Sequence, residues 1–526
     1  MRYLISLFLL FGVLFSDVAA RSSKNIGTRK KLPERPHPKP IKPRTAPLAP
    51  REPYVEQTDR ARKYKVNGKE IPDVPFDIGE SYAGLMPISE SKNASQLYFW
   101  YFPTDNPVGK DDVTIWLNGG PGCSSLEGLL QESGHFLWQW GTAGVSYNPW
   151  AFKNLTNIVF VEQPVGTGFS QGTPTATSEE EVAEQFLGFW KNFMDTFKLH
   201  NKHIYVVGES YAGYYVPYIA DAMLNETNEK YFDVQGITIY DPVIGDDVFA
   251  TQIPAVPFVD HWPHLFSLNE TFMADIHARA ESCGYTDYFN KYFTFPPVGK
   301  MDLPPQTGND PGCDLWGDIY TAVSLINPCF SVYEISTTCP VLWDVLGFPG
   351  SFAYTPPGTE IFFNREEVQK AINAPIGLWE ECSDGVLDID TSDPSGISVL
   401  PRVIEKTNRT MIVHGNLDYV LLTNGTLMTI QNMTWNGVQG FTKRPSDPVY
   451  VPDTYWNQNY DYVPGLASTG TVGNTRTERG LTWVEISLSG HMIPQFAPSA
   501  AYRMMEYMLG RIDSLGVPSN ATVERR

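Results

Sequence analysis

The sequence predicts an α/β fold: a mostly parallel sheet flanked by helices, with an insertion over the carboxyl edge of its strands. Short β-rich apolar runs alternate with helix-length segments over most of the chain, the pattern that builds parallel sheets covered on both faces. Glycine-rich turns follow several of these runs directly, the first at Asn118-Gly119-Gly120-Pro121-Gly122. Between residues 245 and 355 the rhythm stops, in a stretch rich in Pro and aromatics that holds four of the six cysteines.

The elements follow in order. Residues 1–20 carry Arg2, an almost unbroken apolar run from Tyr3 to Phe15, and the small-residue end Val18-Ala19-Ala20. This is the layout of a secretory signal, too short to span a bilayer comfortably. Residues 21–71 are read as a basic, Pro-rich segment, densest in Pro, Lys and Arg over 21–53. Disordered arm, partner-binding arm and propeptide with a processing site at Lys30-Lys31 are all open readings. The globular domain is expected over 72–510. Strands are expected at Val113–Leu117, Asn157–Glu162, His203–Gly208, Val234–Tyr240, Thr410–His414 and Thr482–Leu488. Helices are expected at 179–198, with Glu179 to Glu181 at the positive end of its dipole, and at Tyr211–Leu224. The stretch 245–355 is read as a cap, with an independent second domain as the alternative, and 511–526 as a C-terminal tail.

Composition narrows the class. Hydrophobic residues make up 42% and charged residues 19%, enough to build a large core. The net charge of −20 hides an asymmetry: residues 21–65 hold 14 Lys/Arg against 4 Asp/Glu. The rest is therefore more acidic than the total suggests, which argues against nucleic acid as a partner of the main domain. No later run is long and apolar enough for a membrane anchor. Eight Asn-x-Ser/Thr sequons, at Asn93, Asn154, Asn225, Asn269, Asn408, Asn424, Asn432 and Asn520, suit a glycosylated surface in a secreted chain, either extracellular or delivered to a vacuole or lysosome. Six cysteines in an oxidising compartment can form three disulfides, and their spacing has no CxxC pair of the kind that holds zinc.

The chemistry sits in three glycine-rich turns and one loop. Gly208-Glu209-Ser210-Tyr211-Ala212-Gly213 lies between a strand and a helix, where a sharp turn pushes a serine into the open. The match to G-x-S-x-G is imperfect, since Ala212 holds the fifth position. A serine needs a base, and the base an orienting carboxylate. His414-Gly415-Asn416-Leu417-Asp418 and Ser489-Gly490-His491-Met492 follow later strands, in the order Ser, Asp, His of α/β-hydrolases. Asn118 to Ser125 follows an early strand, where such enzymes place the second half of an oxyanion hole, and it lacks the Gly-Lys-Ser/Thr ending of a phosphate loop.

Taken together, Trp116 to Ser125, Gly208 to Gly213, His414 to Asp418 and Gly490-His491-Met492 resemble the serine carboxypeptidase family over roughly residues 74–510. The resemblance implies an α/β-hydrolase fold with Ser210 as nucleophile, His491 as general base and acid, and Asp418 as its orienting partner. It implies an oxyanion hole from the N–H groups of Gly120 and Tyr211, and a site for the substrate's free carboxylate at Asn118, Gly119, Glu132 and Glu209. It further implies a disulfide between Cys123 and Cys382, leaving Cys283, Cys313, Cys329 and Cys339 with three open pairings. Peptide and protein C-termini are then the substrate, with no metal or other cofactor. Two adjacent carboxyls raise each other's affinity for a proton, so Glu132 and Glu209 predict best peptide binding at acid pH. An acyltransferase or esterase on the same machinery is the enzymatic alternative; a non-catalytic binding protein would have lost a triad residue, and none is lost.

Overall fold

The computed structural model describes residue 55 and residues 58–305, 310–347, 360–452 and 469–522. The predicted signal at 1–20 and the Pro-rich stretch at 21–53 lie outside the described residues. Among the described residues, eleven strands form one sheet: β1 (Lys65–Val66), β2 (Ser81–Pro87), β3 (Gln96–Phe102), β4 (Asp112–Leu117), β5 (Asn157–Glu162), β6 (His203–Glu209), β7 (Val234–Tyr240), β8 (Thr410–Gly415), β9 (Asp447–Val451), β10 (Gly470–Glu478) and β11 (Leu481–Ile486). Their order is β1-β2-β3-β5-β4-β6-β7-β8-β11-β10-β9. The six strands from β5 to β11 run parallel, and the strands on either side join antiparallel.

Alternation along each strand feeds two cores. In β4, Val113, Ile115 and Leu117 enter one core and Trp116 the other. β8 does the same with Ile412 against Met411 and Val413. Helices α1 (Glu179–Phe197) and α2 (Ala212–Asn225) cover the first face. In α1, Phe186, Phe189, Trp190, Phe193 and Phe197 recur at three- and four-residue intervals and are all buried, which is the apolar stripe of a helix lying on a sheet. Ser178 caps its start by accepting the Glu181 N–H.

The described residues between 248 and 326 are largely helical: α3 (Ile253–His261), α4 (Glu270–Ser282), α5 (Tyr285–Tyr292) and α6 (Leu315–Ile326) share a third core. Leu417 and Tyr419, on either side of Asp418, belong to that same core. Of the three open cysteine pairings, the structure forms Cys283–Cys313 and Cys329–Cys339. Beyond it, α7 (Leu400–Thr407) joins the first face, α8 (Thr423–Asn432) follows the Asp418 loop, and α9 (Pro498–Met508) covers the second face.

Two expected boundaries move. Residues 58–71, assigned above to the basic segment, are folded: β1 pairs with β2, and Ala61, Tyr64, Val66 and Ile71 are buried. The lysines and arginines between them set the composition, while every third or so residue packs inward. The tail is packed as far as residue 522, with Leu515 buried and Thr522 N donating to Glu506 Oε1 at 2.8 Å.

Candidate active site

Ser210 begins the turn from β6 into α2 with a φ of +63°. That left-handed conformation is costly for a serine and is held by its neighbours: its N–H donates to Tyr240 O at 2.9 Å, and its carbonyl accepts from Gly213 N and Val243 N. The turn closes because position 213 is glycine; a Cβ there would sit 2.2 Å from Val243 O. The sequence GESYAG therefore folds as a nucleophile elbow, even with Ala212 in place of the second motif glycine.

Asp418 lies in the loop after β8, and His491 in the loop after β11. Both are buried, and His491 Nδ1 is 2.7 Å from Asp418 Oδ2. Asp418 Oδ1 accepts from Val420 N at 2.8 Å and Leu421 N at 3.2 Å, so the carboxylate is fixed before it meets the imidazole. Burial pulls the His491 imidazole down, but the charge and hydrogen bond of Asp418 outweigh it and leave the group above its ordinary value. The helical insertion grips both loops. Val332 O accepts from Tyr419 N and Val420 N, Tyr333 O accepts from His491 N at 2.8 Å, and Trp316 stacks on Tyr419 with centroids 5.2 Å apart. Among the described residues, no hydrogen bond joins Ser210 to His491; such bonds often tighten only when substrate binds.

The Gly-rich turn after β4 lies against the elbow. A Cβ on Gly119 would be 2.5 Å from Tyr211 N and 2.8 Å from Ser210 Cβ. Gly120 has a φ of +112°, open to glycine alone in practice. Cys123 is bonded to Cys382, Ser124 N donates to Glu381 O at 2.7 Å, and Ser383 N to Gly122 O at 2.9 Å, so the turn is sewn to the 381–383 segment. Beneath it, the Glu162 carboxyl accepts from Ser124 Oγ, from Phe169 N at 2.6 Å and from Trp379 Nε1 at 3.1 Å.

Glu132 and Glu209 are brought together, and Glu127 joins them; their oxygens lie within 4.8 Å of one another. Burial pushes Glu132 up to about 7, with Glu209, Asn118 and His491 pulling the other way. Both Glu132 oxygens stop short of hydrogen-bond geometry with these neighbours. Burial and the nearby Glu132 and Glu127 hold Glu209 well above the ordinary carboxyl range, and burial with Glu132 and Asp344 does the same for Glu127. Asn118 Nδ2 donates to Glu127 Oε2 at 2.9 Å, while its Oδ1 accepts from Trp116 Nε1 at 2.7 Å. Glu127 escaped the sequence reading for a geometric reason. Residues 127 and 132 would diverge on an α-helix, but Gly128–Glu132 forms a π-turn, in which i→i+5 bonding brings residues five apart onto one side. Glu381, held well above the ordinary carboxyl range by burial and by the nearby Glu127 and Asp344 charges, was missed as well.

Among the described residues, two groups have ligand spacing for a cation, Asp241–Asp418–His491 and Glu127–Glu132–Glu209. In the first, His491 already occupies Asp418 Oδ2. In the second, burial favours protonated carboxyls, which are poor ligands.

The serine carboxypeptidase family profile matches residues 72–511. The chain belongs to the serine carboxypeptidase family. It is 55% identical to a probable serine carboxypeptidase of Arthroderma benhamiae, over 89% of this chain and 90% of that protein. It is 46% identical to serine-type carboxypeptidase F of Aspergillus niger, with the same coverage. The crystal structure of Kex1Δp, a prohormone-processing carboxypeptidase from Saccharomyces cerevisiae, superposes with a TM-score of 0.65 at 22% identity, covering 87% of this chain and 98% of that one. The fold is thus the α/β-hydrolase fold, and the chain is a serine-type carboxypeptidase, a hydrolase acting on peptide C-termini. No described helix is long and apolar enough to cross a membrane.

Of the sequons, Asn93, Asn225, Asn269, Asn408 and Asn520 are exposed, whereas Asn154, Asn424 and Asn432 are half-buried.

Proposed function

We propose that Ser210, His491 and Asp418 are the triad that releases the C-terminal amino acid, and that Glu132 and Glu209 select substrates with a free terminal carboxylate at acid pH. The observation that carries the reading is the 2.7 Å contact of His491 Nδ1 with a buried Asp418, each at the end of a parallel strand in the sheet that presents Ser210. That contact fixes the tautomer that leaves Nε2 free to take a proton from Ser210 Oγ. The oxygen attacks the last peptide carbonyl, and the N–H groups of Gly120 and Tyr211, which have no acceptor among the described residues, receive the oxyanion. His491 returns the proton to the leaving amine, and water then resolves the acyl-enzyme.

The carboxyl cluster supports the choice of substrate. A protonated Glu132 or Glu209 donates a hydrogen bond to the substrate carboxylate alongside Asn118 and the Gly119 backbone. An ionised pair repels it. The signal-like residues 1–20 and the exposed sequons support entry into the secretory pathway, with extracellular release the favoured destination. The five exposed asparagines are the sites we propose for glycans first. Residues 245–355 are proposed as the cap that shapes the side-chain pockets.

The test uses an N-blocked dipeptide, its C-terminal amide and a blocked ester at mildly acid pH, with Ser210→Ala as control. Release of the terminal amino acid from the free acid, weak cleavage of the amide, and loss of both in the variant support the reading. Turnover of the ester alone would leave the triad standing and overturn the substrate, making acyl transfer the next reaction to assay.

A further inference from the structure

The residue after β7, Asp241, has the same strained handedness as the nucleophile, with a φ of +42°. Its N–H donates to Val413 O at 2.8 Å, which sets it across the end of β8. The side chain is fully buried. Oδ1 accepts from Gly415 N at 2.8 Å and lies 3.1 Å from His414 Nδ1. Among the described residues, no donor reaches Oδ2. What lies beside it is Asp418: oxygens of Asp241 and Asp418 and a ring nitrogen of His491 all fall within 4.8 Å of one another.

Two buried carboxyls side by side cannot both be charged at tolerable cost. The hydrogen bonds decide which one keeps the charge. Asp418 accepts from Val420 N, Leu421 N and His491 Nδ1, three donors that an anion satisfies best. Asp241 accepts from Gly415 N and has an oxygen to spare.

We infer that Asp241 is a positioning residue of the triad, a carboxylic acid whose O–H donates to Asp418 while Asp418 accepts from His491. This rests on the triad proposed above.

The charged and titratable groups around Asp241 agree with it. Burial comes first in raising its carboxyl, followed by the Asp418 charge, with His491 and Gly415 N opposing. On β8, burial lowers the proton affinity of His414, against the pull of Asp418, Gly415 O and Glu485, which disfavours a counter-charge beside Asp241. At the end of β6, Glu209 is itself held protonated by burial and by Glu132. The chain Asp241–Asp418–His491 thus carries one negative charge in the resting enzyme. The donated proton fixes the Asp418 carboxylate in the plane that meets Nδ1, and it does so without adding a second charge that would hold His491 in its protonated, inactive form.

The experiment uses the full chain and a blocked ester without a free carboxylate, so that titration of Glu132 and Glu209 drops out. Turnover is followed as a function of pH for the wild type, Asp241→Asn and Asp241→Ala. The amide of Asn keeps a donor toward Asp418. Its kcat/KM should stay within about threefold of wild type, and its acid limb, which reports His491, should not move. Asp241→Ala should lower kcat roughly tenfold with little change in KM, the loss expected for a hydrogen bond to a charged group. A downward shift of the acid limb by about one unit in Asp241→Asn would mean that a carboxylate charge had been removed beside His491, and would overturn the inference. So would wild-type behaviour of Asp241→Ala. If the alanine variant does not fold, the acid limb of Asp241→Asn still decides. Failure of the wild type to release an amino acid from the blocked dipeptide, with the ester still turned over, would count against the carboxypeptidase reading alone.

Discussion

Replacing Glu132 by glutamine should separate substrate capture from chemistry. The Glu132 carboxyl stands at about 7, chiefly through burial, with Glu209 and Glu127 beside it. If the substrate carboxylate binds only when Glu132 is protonated, the competent fraction falls about tenfold between roughly pH 6 and pH 8, a loss of about 1.4 kcal/mol in binding. Glutamine offers a permanent N–H donor and cannot ionise. The KM for a blocked dipeptide should therefore rise about tenfold across this window in the wild type and stay flat in Glu132→Gln. The assay is initial-rate kinetics at several pH values, with the blocked ester as internal reference. Its KM should be flat in both proteins, because it has no carboxylate to capture. The reasoning is refuted if the ester KM climbs with the dipeptide KM, which would place the titration in the triad. It is equally refuted if Glu132→Gln keeps the wild-type slope.

Other consequences follow from the same structure. Glu162 is fully buried at about 7, above the ordinary 4.5 of a free glutamate, mainly through desolvation. A raised carboxyl stabilises the fold below its unfolded value and loses that contribution as pH climbs through the folded one. Thermal unfolding should thus show a stability that declines from about pH 4.5 to 7, by about 3 kcal/mol from this residue, and Glu162→Gln should flatten that part. Removing the Cys123–Cys382 bridge, which spans 259 residues, by the double serine substitution should cost about 5 kcal/mol in the chain-entropy account, read as a lower Tm. Trp316→Ala removes the ring stacked on Tyr419 and the Nε1 bond to Tyr419 O. It should lower kcat about tenfold through the Asp418 loop, with KM little changed and the far-ultraviolet circular dichroism retained.

Much of the fold was legible because the parallel strands are buried on both faces and read as short apolar runs. β5 and β7 fall on the expected residues, and β4, β6 and β8 differ by a residue at one end. The flanking strands were not foreseen. β2 carries Gly84 and Pro87 in a short apolar run, β3 is an unbroken run of aromatics after Leu97, and β10 is polar and half-buried over most of its length, so none offered a clean period. The segment at 58–71 was hidden by its basic composition, although its apolar residues pack inward.

The sequence by itself determined which residues could do the chemistry. Glycine-rich turns directly after strands, with Ser210, Asp418 and His491 in hydrolase order, are local patterns, and local patterns survive in one dimension. Only the tertiary structure decided how those residues are held and what surrounds them. The insertion core that grips Asp418 through Tyr419 and His491 through Tyr333 joins residues some 80 to 160 apart in sequence. The π-turn that turns Glu127 toward Glu132 has no composition of its own. Asp241 meets Asp418 only because β7 and β8 lie side by side, and burial there makes one proton cheaper to keep than two charges. Proton affinity depends on the dielectric and on neighbours in space, and neither is written in the order of residues along the chain.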